Sequence, residues 1–316
     1  LSMAGLSKEQ QSLELTKLAS IRYWEWIAAG RRRSIVRSLL EIAQMRDRQL
    51  AIRSKAGDVA EFDRQENTRA LIMRQGLSVA AQRSLEQSAF ELSLYLRDAS
   101  GNPVIPDESR LGSFDDPSTL PDDSVEVALA RRPEVKRLID QRQQIDIELR
   151  LQKNQLLPAF DLGFAVSGDI GNAARPAAAS LGPTEFEVNA MLDVPLLFRA
   201  ATGRIQVVEA SRVKLEAQLR LTRDRITIEI SDLRSAARAA NERIVLARQE
   251  VELSAQLEQG ERSRFELGDS TLFVVNLREQ ATAEAQLREV DAVADWHRAN
   301  AALMAALAIH VTQQLP

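Results

Sequence analysis

"TEFEVNAMLDVPLLF", residues 184–198, is the stretch that decides the fold. Phe186, Val188, Ala190, Leu192 and Val194 alternate with Glu185, Glu187, Asn189, Met191 and Asp193. Successive side chains of a strand point to opposite faces, so this segment has one apolar face and one acidic face. A strand on the core of a small soluble domain alternates in the same way. What the apolar face touches must be read from the rest of the chain.

Just upstream, "AFDLGFAVS" (159–167) alternates as well, with Phe160, Leu162, Phe164 and Val166 on one side. Ala159, Asp161, Gly163, Ala165 and Ser167 take the other side. A Gly/Ala/Pro loop at 168–183 joins the two segments, which predicts a β-hairpin over 159–194. Beyond it the chain is helical in character. Residues 6–55 hold no proline, Gly57 interrupts, and a second helical stretch covers 58–97. Four prolines between residues 98 and 123 mark a segment of little regular structure. A helix is expected over 124–157, with Pro133 in a first turn. After the hairpin a helix runs to about Glu266, on the order of 95 Å long. Gly268 breaks it, and a last helix ends near Val311.

Helices of that length need a partner along their whole side. Leu219, Ile226, Ile230, Leu233, Ala237, Ala240, Ile244, Ala247 and Val251 recur at steps of seven, three and four. Ala283, Leu287, Val290, Ala294, His297, Ala301, Met304 and Ala308 do the same on the returning helix. This is a coiled-coil seam, whose alanines are expected to let the backbones approach closely. The chain also repeats itself: "AGDVAEFD" aligns with "LGDSTLFV" at an offset of 211, pairing Gly57 with Gly268 and Phe62 with Phe273. At that offset a counterpart of the strand at 184–198 falls before residue 1, so the first repeat is expected to be truncated.

Composition closes off several classes. Aromatic residues are 4% of the 316, there is no cysteine, and the net charge is −4. Evenly spread cations give no nucleic-acid footprint, and disulfides and thiolate metal sites are excluded. No apolar run reaches the length of a transmembrane helix. "LSMAGLSKEQ" carries no apolar leader, which fits a cytoplasmic chain or one whose N-terminus has been removed.

"ALARRPEV" (128–135), "NQLLPAFDL" (154–162), "DVPLLFRAATGR" (193–204) and "RFELGDSTLFVVNLREQATAEAQL" (264–287) follow in order. Together they resemble the TolC-like outer-membrane efflux proteins over essentially all 316 residues. The resemblance implies a mainly α fold of very long antiparallel coiled-coil hairpins. It also implies a short β-hairpin given to a trimeric outer-membrane barrel, and an internal repeat. The domains are then 1–98 (first helical hairpin), 99–123 (linker, or equatorial segment) and 124–316 (second repeat). Within the last lie the helix 124–157, the membrane hairpin 159–194 and the helical hairpin 199–311. A membrane strand needs about 9–11 residues, apolar to lipid and polar to the lumen. On this reading Phe160, Leu162, Phe164, Val166, Phe186, Val188, Leu192 and Val194 face lipid.

By the same resemblance the two helical turns, Ala56, Gly57 and Asp58 and Leu267, Gly268 and Asp269, face a periplasmic adaptor. Pore-constriction candidates are Asp63, Val274 and Leu277. Val274 and Leu277 stand where some members carry carboxylates, so a hydrophobic constriction replaces an acidic one. The partners implied are two further copies, an adaptor, an inner-membrane pump or type I secretion system, and outer-membrane lipid, with no nucleic acid. The location implied is the outer membrane, with a periplasmic helical tunnel. The competing reading is a structural coiled coil or an adaptor with no channel.

No catalytic or metal site emerges, and no cofactor is expected. His297 and His310 have no clustered carboxylates, so packing or solvation outweighs ligation. "GRRRS" (30–34) fits a solvated helix face before a phosphate patch. Tyr23, Trp24 and Trp26 fit packing between helices before a pocket.

Overall fold

The computed structural model describes residues 2–55, 60–168, 184–194 and 199–309. The elements are α1 (Ser2–Lys55), α2 (Glu61–Ser93), α3 (Val125–Arg131), α4 (Pro133–Asn154), β1 (Ala159–Ser167), β2 (Glu185–Asp193), α5 (Arg199–Glu266) and α6 (Leu272–Ala306). They fall into two compact units, Leu1–Val135 with Arg223–Pro316, and Lys136–Thr222. No described helix is long and apolar enough to cross a membrane.

The first unit is a layer of long helices. α1 lies closely along both α2 and α6. α5 joins α6 through a cluster of Ala237, Ala240, Ile244, Ala292, Val293 and Trp296. The order is therefore α2–α1–α6–α5. The seam expected on α5 is present, with Ile226, Ile230, Ala237, Ala240, Ile244 and Ala247 buried. Its alanines do not bring the α5 and α6 backbones into the closest contact, however, because the buried indole of Trp296 stands in their cluster. The closest helix approaches are those of α1. Surface ion pairs repeat along the layer: Arg243–Asp295 (2.8 Å), Arg248–Glu289 (3.1 Å), Arg288–Glu250 (2.7 Å) and Arg32–Asp291 (2.6 Å). Each such exposed pair contributes about 0–1 kcal/mol, so they align the helices more than they hold them.

Three sequence expectations need correction here, the first being that the last helix, expected to end near Val311, ends at Ala306, where Ala308 turns to φ 53°. The helix expected over 124–157 is two helices, because a residue before proline is pushed out of the α region. Arg132 sits at ψ 122, ending α3, and Pro133 opens α4 as its first residue. Ser124 caps α3 by accepting from the Val127 amide. The second helix, expected over 58–97, ends at Ser93, and Arg97 bridges to Pro103 instead.

The segment 99–123 has only a short 3-10 turn at Glu108–Arg110, as its prolines foretell. It is nevertheless pinned along its length, and we call residues 111–123 the belt. Leu111 packs so tightly on Gly30 that a Cβ there would lie 2.8 Å from Leu111 Cδ1. Phe114 packs against three separate clusters, drawn from α1, α2, α5 and α6. Glu108 pairs with Arg33 at 2.9 Å, Asp116 with Arg248, and the Asp123 carbonyl accepts from Arg234 at 2.5 Å.

In the second unit Leu149 of α4 and Val208, Leu215 and Leu219 of α5 are buried, and Arg212 pairs with Asp146 at 3.5 Å. β1 and β2 form an antiparallel two-stranded sheet.

Candidate functional site

The register of the β-hairpin pairs Phe160 with Leu192, Leu162 with Ala190, Phe164 with Val188 and Val166 with Phe186. Paired residues share a face, so seven of the eight residues expected on the apolar face do lie on one side. The eighth, Val194, lies past the end of β2, which stops at Asp193. The opposite side carries Asp161, Glu185, Glu187 and Asp193, with Asn189 paired to Gly163. A Cβ at Gly163 would meet the Asn189 amide and push that side chain aside. Both sides are exposed, Phe164 by 72% and Phe186 by 77%. An isolated two-stranded hairpin is marginal in water at best, and this one leaves its apolar side bare.

Gly268 (φ 85°) closes α5. The Asp269 amide reaches the Arg264 carbonyl (2.9 Å) and the Gly268 amide reaches that of Phe265 (3.1 Å), a Schellman turn. Leu267, Gly268 and Asp269 are exposed. Ala56, Gly57 and Asp58 lie outside the described residues, as does His310. Asp63, Leu267 and Gly268 line one open cleft of about 1090 Å³, together with Arg46, Ile52 and Phe265. Val274 is half-buried and Leu277 exposed on α6, and neither lines that cleft. Phe273, one turn before Leu277 on α6, is exposed as well.

Sequence reasoning missed the most heavily charged place in the core. Glu279 of α6 is buried and meets three guanidinium groups. Arg46 of α1 binds both its oxygens, Arg74 of α2 donates at 3.0 Å and Arg262 of α5 at 3.1 Å. Arg46 also donates to Asn276 (2.7 Å), and Arg74 to the Leu39 carbonyl (3.2 Å). All four long helices meet on one carboxylate. Burial pushes the Glu279 carboxyl up, but Arg46 and Arg74 together hold it below the usual carboxylate range. A signal existed: the seam read from Ala283 onward, extended back by four, lands on Glu279.

The aromatic and basic motifs resolve into packing. Trp24 stacks on His297 with ring centroids 3.5 Å apart, and Trp26 is buried with Ile27 and Leu85. Arg32 and Arg33 of the triple arginine are engaged by Asp291 and Glu108, while Arg31 is exposed. Among the described residues no group of three or more His, Asp or Glu side chains could hold a metal ion.

No protein-family model matches the chain, and no curated protein matches its sequence. Solved structures do. A membrane protein from Pseudomonas aeruginosa superposes with a TM-score of 0.83 at 16% identity, covering 97% of this chain and 71% of the other. The CmeC outer membrane channel of Campylobacter jejuni superposes with a TM-score of 0.79 at 12% identity, covering 97% of this chain and 65% of that one. The MtrE outer membrane channel of Neisseria gonorrhoeae does so at 0.80 and 14%, covering 97% and 68%. The chain has the TolC-like outer-membrane channel fold. The chain thus spans about two thirds of the length of these solved structures.

Proposed function

We propose that this chain is the larger part of one protomer of an outer-membrane exit duct, a passive conduit rather than an enzyme. The observation that carries the reading is the bare apolar side of the β-hairpin. Lipid is the surrounding in which Phe160, Phe164, Phe186 and Val188 are covered while Glu185, Glu187 and Asp193 stay wet. One hairpin cannot close a barrel, and open sheet edges are not tolerated in lipid. The reading therefore requires further strands, from other copies and from a first repeat. Helix ends support that repeat: α1 and α5 end, and α2 and α6 begin, at the same offset of 211.

The helical layer supports a trimer. Its edge helices carry unpartnered apolar side chains, Ile72, Val79 and Phe90 on α2 and Ile228, Leu246 and Leu253 on α5. The α5 edge of one copy against the α2 edge of the next covers both and closes a tunnel. At the tips, Leu267, Gly268 and Asp269, with Ala56, Gly57 and Asp58, would meet the adaptor of an efflux pump or type I secretion system. Val274 and Leu277 would form an apolar constriction, with Asp63 nearby on α2.

The test measures the mass of the protein in detergent and its conductance in a planar bilayer. A trimer that conducts is expected. A stable monomer in plain buffer would overturn the duct and favour a structural coiled coil.

A further inference from the structure

The belt crosses the helical layer, and its central fastening is a histidine. His297 of α6 is buried, with Trp24 of α1 stacked on its ring at 3.5 Å and 10°. Trp296 meets it edge-on at 5.0 Å and Phe114 of the belt lies at 6.3 Å. Its Nε2 lies 3.0 Å from the Asp115 carbonyl oxygen, at the middle of the belt. A carbonyl only accepts, so the bound tautomer carries its proton on Nε2 and leaves Nδ1 to take up the next one. We propose that His297 is an acid-released clasp, which holds the belt down while its ring is neutral and loosens it when the ring is charged.

From the belt, the Asp115 carboxylate attracts a charged ring, and Ser113 already donates to it. On α1, Glu25 is engaged by Arg22 and Arg298, and the Tyr23 phenol is pushed up by burial. On α6, Asp295 is engaged by Arg298 and by Arg243 of α5. Asp116 is engaged by Arg248 of α5. Burial holds the His297 pKa below its ordinary value, against the Asp115 carbonyl and the Asp115 carboxylate, which both favour a charged ring. A depressed histidine stabilises the closed belt fully above about pH 6.5 and ceases to do so as pH falls through the lowered value. Release frees Phe114 from three clusters at once and uncovers the cleft at Arg31, Ile35, Val290 and Arg248 that Phe114 lines.

The experiment is hydrogen exchange of the assembled protein, read on peptides covering 111–123 from pH 7.5 to 5 and corrected for the intrinsic rate. Belt protection should fall with pH, by tenfold for each unit separating the open and closed pKa values. Protection in α5 at 226–247 should hold over the same range. His297→Phe keeps a ring on Trp24 without a titrating nitrogen, and His297→Gln keeps an amide donor for Asp115. Each should make belt exchange independent of pH. Flat protection in the unmodified protein, or an unchanged acid response in either variant, would overturn the clasp. Should neither variant fold, the unmodified profile still decides: a midpoint at or below about 6.5, yet above the carboxylate range near 4, is required.

Discussion

Ala308 and Gly268 end α6 and α5 by the same backbone device with different residues. At each the next amide folds back five residues, from Ile309 to Met304 (2.9 Å) and from Asp269 to Arg264 (2.9 Å). Both need positive φ, 53° at Ala308 and 85° at Gly268. A Cβ in that region costs about 1–2 kcal/mol, so Ala308 carries strain that Gly268 avoids. Ala308→Gly is expected to stabilise the end of α6 by about 1 kcal/mol, less the entropy that glycine adds to the unfolded chain. Exchange at 304–309 would slow; unchanged or faster exchange would show that the strain is absorbed elsewhere. At Gly268 the substitution runs the other way. No atom lies within 4 Å of a Cβ built there, so Gly268→Ala adds the φ strain and nothing else. Gly268→Trp adds the same strain plus bulk on the exposed tip. If the tip docks an adaptor, the tryptophan variant should lose export while the alanine variant keeps it, with trimer mass unaltered in both. Equal loss in the two would reduce Gly268 to a helix cap.

Elements with a strict period were legible, and those held by scattered contacts were not. The hairpin announced itself by a period of two, and the seam of α5 by steps of three, four and seven. The break at Arg132 was legible in principle from Pro133 but was outweighed by the helical run around it. The belt has no period, and its order comes from Phe114 and Leu111 finding distant partners, which nothing local encodes. The register of the hairpin makes its proposed lipid-facing side testable. Val188 opposes Phe164 and Leu192 opposes Phe160, whereas Asn189 opposes Gly163 across the acidic side. Arginine at Val188 or Leu192 should cost about 2–4 kcal/mol near the bilayer midplane and less toward its edge. Arginine at Asn189 should assemble normally, since Gly163 leaves room beneath it. Fractionation of each variant into membranes checks this, and equal defects on both sides would refute the assignment.

For the molecule as a whole, the cluster around Glu279 matters more than any surface pair. There α1, α2, α5 and α6 share a single buried carboxylate. Arg74 and Glu279 are each about 1% exposed at the side chain, so water does not screen them. Burying such charges is costly, and the arrangement is kept stable by completeness rather than by any one bond. Removing one partner leaves the others uncompensated and costs about 3–5 kcal/mol. Glu279→Gln should therefore loosen the helical layer far more than loss of Glu250, whose pair with Arg288 is exposed. The effect has a pH signature. Arg46 and Arg74 hold the Glu279 carboxyl below its ordinary range, so the cluster stabilises fully above about pH 4.3. That contribution disappears as pH falls through the depressed value, because protonated Glu279 faces three guanidinium groups. Protection of 39–50 and 272–283 should be high in the unmodified protein near neutrality, fall only in strong acid, and be low at every pH in Glu279→Gln. The belt, fastened by a histidine, should let go at milder acidity than this cluster. Two separated transitions in one acid titration, the first at 111–123 and the second at the cluster, are the expected result. A single merged transition would mean that belt and helices open together, and that the histidine and the carboxylate act as one unit.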